Sequence, residues 1–127
     1  MAMRPPKGGI RNEMREKAMR EVILAQLGAL RADAGVEQVA CKDECVGDYL
    51  TGKTDALAVA MQMVQAKALL ETMAHFLRHE ETRNMNLAES ARLAGKDTMA
   101  RLREGAAAGY MAASRVVTEI REMNKHE

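Results

Sequence analysis

The stretch from Ala56 to Leu77, ALAVAMQMVQAKALLETMAHFL, decides the fold. Sixteen of its 22 residues are apolar, and Gln62, Gln65, Lys67, Glu71, Thr72 and His75 make only a narrow polar stripe. A helix this apolar must be covered on most sides. The same six polar groups would be costly in hydrocarbon, so the stretch reads as a buried helix and not as a membrane span. Thr54 or Asp55 can cap it, each offering a side-chain oxygen to the free amides of the first turn. The expected helix covers 54–81 and forms the centre of an all-α bundle.

Composition agrees. There is no Trp, one Phe and two Tyr among 127 residues, but eleven Met. Strands favour aromatic and β-branched side chains, whereas Ala, Leu, Met, Glu, Lys and Arg favour helix. A core so lean in rings buries little apolar area per residue. A thin bundle of this length, at about 25 cal/mol per Å², would be marginal alone. Self-association or a partner would supply the missing burial.

Working outward, residues 1–9 join two prolines to two glycines and read as a flexible basic arm before a single domain at 10–127. A helix is expected over 10–34, with Met14, Ala18, Ile23, Leu27 and Leu30 near one face and Gly35 as its stop. A short element near 36–46 follows, then a loop framed by Gly47 and Gly52. Beyond a break at 82–86, a third main helix runs over 86–124, with Asn86 and Glu89 as a capping pair. Unbroken, it would be about 55–60 Å long. Either it bends at Gly95, or part of it packs on another chain. Gly105, Gly109 and Ala112, with Met99 and Met111, form a small-residue face suited to a tight helix–helix interface, within the chain or between subunits.

Three motifs carry candidate chemistry. Gly47 to Thr54, GDYLTGKT, satisfies the phosphate-loop pattern, in which Gly47 and Gly52 shape the loop, Lys53 reaches phosphate and Thr54 binds magnesium. The charged run before Gly47 does not suit a buried parallel strand, so the context argues for coincidence. Cys41 with Cys45, and His75 with His79, are pairs at four-residue spacing whose ligand types suit zinc. The 29-residue gap between the pairs departs from finger spacing, and the expectation is no cofactor.

The third motif, Leu87 to Glu104, resembles a helix-turn-helix, with Ala91 and Gly95 at the offset such units use. Arg101 and Arg103, joined by Arg4 and Lys7 of the arm, would meet phosphates. Net charge is +1, divided +3, −4 and +2 over residues 1–34, 35–81 and 82–127, too weak to indicate nucleic acid by itself.

Two cysteines make no disulfide framework, and the chain opens on no signal-peptide pattern, so a cytoplasmic location is expected. The function expected is a non-enzymatic helical interaction or assembly module that self-associates or docks on a larger protein, of the kind found as accessory proteins of phages or plasmids. A DNA-binding regulator or packaging factor is the alternative, and a zinc or nucleotide binder the second alternative.

Overall fold

A computed structural model describes the backbone of residues 7–125 and the side chains of 13–125, so Arg4 and the Lys7 side chain lie outside the described residues. Among these residues the structure is all-helical, with four helices: α1 (Lys7–Ala40), α2 (Glu44–Gln65), α3 (Leu70–Leu93) and α4 (Asp97–Lys125). None is long and apolar enough to cross a membrane.

The count differs from three main helices and a short element, and the boundaries explain why. Lys7 to Gly9 belong to α1, not to an arm, and Gly35 sits inside the same helix. Gly47 and Gly52 lie inside α2, so the expected loop is helix, and the expected element at 36–46 is split between the end of α1 and the start of α2. A glycine costs a helix only about 1 kcal/mol, which neighbouring helix formers and packing can override. The cap of α2 is Asp43, whose carboxylate accepts from the Cys45 amide at 2.8 Å, and not Thr54 or Asp55.

The helix expected at 54–81 breaks at Ala66–Leu69. Lys67 takes a left-handed φ of 59°, and the Ala68 amide reaches back to the Met63 carbonyl at 3.1 Å. Arg20 donates to the Ala68 carbonyl at 3.0 Å and ties this turn to α1. The break expected at 82–86 does not occur, because Asn84 satisfies its own amide on the Glu80 carbonyl at 2.7 Å within an unbroken α3. Asn86 and Glu89 are therefore mid-helix residues and not caps. The bend at Gly95 does occur. With φ of 73° it ends α3, and the Lys96 amide closes the turn on the Ala91 carbonyl at 2.8 Å.

Contacts along the helices give their directions. Gln38 meets Thr51 at 2.6 Å while Arg20 meets Ala68, so α1 and α2 are antiparallel. Asp48 meets Arg101 and Lys53 meets Gly109, so α2 and α4 run parallel. Arg103 meets Asn84 at 3.1 Å and Tyr110 meets Phe76 edge-on at 6.4 Å, so α4 returns antiparallel along α3. Helix α4 thus lies between α2 and α3, with α1 outside against α2 and α4. Ile23, Leu27, Leu57, Met73, Leu77 and Val117 are fully buried where the helices meet.

The small residues of α4 are used inside the chain. A β-carbon on Gly105 would collide with the Tyr49 carbonyl, and one on Gly109 would lie 2.6 Å from the Lys53 carbonyl oxygen. Opposite them, one on Gly52 would strike the Leu102 carbonyl and lie 2.9 Å from the Ala106 amide. These three glycines let two backbones touch. The tight helix–helix contact expected of Gly105 and Gly109 is therefore the α2–α4 contact within the chain.

Gly52→Ala should lower stability by about 1–3 kcal/mol, since backbone and not a flexible side chain blocks the added methyl. Lys67→Gly should raise it by about 1 kcal/mol by removing the left-handed penalty. Urea denaturation of both variants checks the opposite signs.

Candidate functional site

The residues singled out by motif are placed first. Gly47 to Thr54 form two turns of α2. The Gly47 amide is bonded to the Asp43 carbonyl at 2.9 Å, and the Thr51 and Thr54 hydroxyls donate to the Gly47 and Leu50 carbonyls at 2.9 and 2.7 Å. A phosphate loop needs a wrap of free amides, and helix amides are engaged. The pattern is matched in letters and not in conformation.

Cys41 and Cys45 flank the α1–α2 turn, with Cys45 three residues before the Asp48 that meets Arg101, while His75 and His79 are exposed near the start of α3. The pairing of α3 with α4 puts even the nearer histidine, His79, roughly nine residues of rise, about 14 Å, from Cys45 along the bundle. The two pairs therefore do not meet. Among the described residues no cluster of three His, Cys, Asp or Glu side chains is arranged to hold a metal.

The helix-turn-helix reading is corrected in the same way. Its second helix should cross the first, but α4 runs back along α3 as an antiparallel hairpin. The two arginines expected on phosphates are held within the fold. Arg101 pairs with Asp48 at 3.1 Å, and Arg103 donates to the Asn84 oxygen.

Asn84, only 2 % exposed, joins α3 to α4 in a cleft that Glu80, Arg83, Arg103, Asp55 and Tyr110 also line. Glu80 accepts from Arg83 at 3.0 Å. Burial pushes the Tyr110 phenol above its ordinary 10.0; Glu80 adds to the rise, Arg83 and Arg103 oppose it, and Asp55 contributes slightly. The cleft is a braced joint between helices, with its described acids and bases facing one another.

The surface with room for a partner lies on the opposite side of the α3–α4 hairpin. Ala88, Ala107 and Ala108 form the floor of an open groove of about 690 Å³, and Met85, Leu93 and Met111 form its walls. Leu93 is 83 % exposed and Met85 58 %. The rim carries Glu81, Glu89 and Glu104, with Arg92 paired to Glu104 across the opening. The alanines make the trough by leaving space between two ridges, and the methionines can adapt to what enters. Of the residues assigned to an interface, Met111 lies in this groove, Met99 is half exposed at the cleft, and Ala112 packs partly against the core. Met85, Leu93 and the alanine floor were missed. Their signal is the three- and four-residue spacing of Met85, Ala88 and of Glu104, Ala107, Ala108, Met111.

The Tyr110 shift has a sign that can be tested. An unfolded tyrosine ionises near 10, whereas the folded one holds its proton to higher pH. Its contribution to stability is complete below pH 10 and is lost as pH rises through the folded value. Tyr110→Phe keeps the ring against Phe76 and should flatten that alkaline decline in a denaturation series from pH 9 to 11.5. Compared with known families, curated proteins and solved structures, the chain matches none.

Proposed function

We propose that this chain is a non-enzymatic helical interaction module, acting by self-association or by docking on a larger protein. The observation that carries the reading is the α3–α4 groove: an apolar trough with adaptable methionine walls and an acidic rim. Grooves of this form accept the apolar face of a helix. The polar groups away from the groove support the same reading, because Asn84 with Arg103 and Asp48 with Arg101 are engaged between helices. The duplex-binding alternative would require Arg101 and Arg103 to leave those partners.

A photo-crosslinking residue placed at Met111 should give a defined adduct in cells. The same residue at Glu71, exposed near the start of α3, should give none. Equal labelling at both positions, or none at Met111, overturns the proposal.

A further inference from the structure

The α3–α4 groove is charged unevenly, and its free charges point to the kind of helix that fills it. Arg92 is taken by Glu104. Glu81 and Glu89, both on the α3 rim, have no ion-pair partner among the described residues. They stand eight residues apart in sequence, about 12 Å along the helix. Beside them, the floor at Ala88 and the walls at Met85 and Met111 are apolar. This part of the groove therefore holds three carboxylates against one guanidinium, and two of the carboxylates are left for an entering chain to satisfy.

A second observation lies where the groove continues past Met111. There Ser114 and Thr118 line it, and the charges of Arg78 and Arg115 balance those of Glu81 and Glu119. Ser114 is only 7 % exposed, and its hydroxyl has no hydrogen-bond partner among the described residues. A nearly buried hydroxyl without a partner is costly, and native structures pair such groups. One that opens into a trough is satisfied when a ligand supplies the bond.

Charge also selects between a second copy and another protein. Two copies joined groove to groove would bring four free carboxylates onto one apolar interface, and like charges set face to face repel. A helix with basic flanks reverses the sign of that interaction. Lysine and arginine stems can lie along the apolar walls while their heads reach the rim. Two turns of helix advance about 11 Å, so basic residues seven or eight positions apart match the separation of Glu81 and Glu89.

We infer that the groove takes a basic amphipathic helix of another protein, with two Lys or Arg residues on Glu81 and Glu89 and a polar side chain on Ser114. The inference rests on the interaction-module reading and names the chemistry of the partner. Two synthetic helices of about 18 residues, five turns, test it against the full chain by fluorescence anisotropy. Both carry a Leu/Ala face closed by Gln at each end. One has lysine on both flanks at seven-residue spacing, and its twin has glutamate at the same positions. The lysine peptide should bind about tenfold more tightly, and added salt should narrow the difference. Glu81→Lys combined with Glu89→Lys should reverse the preference. Ser114→Ala removes an unpartnered hydroxyl, so the melting temperature should hold or rise while binding of the lysine peptide weakens several-fold. Equal affinity for the two peptides, no binding of either, a preference that survives the double reversal, or a Ser114→Ala chain that binds as the wild type does would overturn the inference. A Met111 adduct joining two copies of this chain would also overturn it, by placing a second copy in the groove, and would leave the module reading intact. Absence of any Met111 adduct removes that reading itself.

Discussion

The approach of two backbones at Gly52, Gly105 and Gly109 sets the geometry of the rest. Parallel α2 and α4 gain nothing from their dipoles, so their contact must come from packing, and packing improves as axes draw together. Three missing β-carbons allow that closeness. Once α4 lies against α2, the chain between them has to travel back. It does so as α3, which takes the far side of α4 and barely touches α2. The central helix is therefore α4 and not the more apolar 56–77 stretch, which the turn at Lys67 divides between α2 and α3.

The polar groups follow from this arrangement. Asp48 and Arg101 sit about one turn before Gly52 and Gly105, on the same flank of the contact, so the ion pair closes over its edge. Both side chains keep more than a quarter of their surface in water, and such pairs contribute up to about 1 kcal/mol. Asn84 is different. Buried between α3 and α4, it gives its amide to the Glu80 main-chain carbonyl and takes a charged donor from Arg103, so removing the Arg103 side chain strands the Asn84 oxygen. The arginines that resemble phosphate contacts in a linear reading are braces of a hairpin.

Helical class, the Gly95 bend and the small-residue face of α4 were legible in the sequence because each depends on local chemistry. A left-handed glycine ends a helix wherever it occurs, and alanines with glycines mark a close approach whatever lies opposite. The sequence could not say that the opposite helix belongs to the same chain. Gly35, Gly47 and Gly52 misled because glycine's helix penalty is small enough for tertiary contacts to override. The true break at Ala66–Leu69 carries no signal, since Gln-Ala-Lys-Ala-Leu are all competent helix formers and the left-handed residue is a lysine. The phosphate-loop match failed for a related reason: the pattern records side chains, whereas the chemistry requires a backbone conformation.

Met14 and Ala18, expected on one face with Ile23, Leu27 and Leu30, are exposed instead, because a search for one amphipathic face hides a helix that has two. The inner face, at Ile23, Leu27 and Ala34, and the outer face, from Ala18 to Val39, nearly cancel as an average, so α1 looks featureless beside α4. Among the described residues α1 has fewer fully buried side chains than the other helices: Ile23, Leu27 and Ala34 are buried, Met19, Leu24 and Leu30 pack partly against the core, and the Arg20 tie to Ala68 and the Gln38 bond to Thr51 complete its attachment. Elements with few buried contacts open first in a native protein.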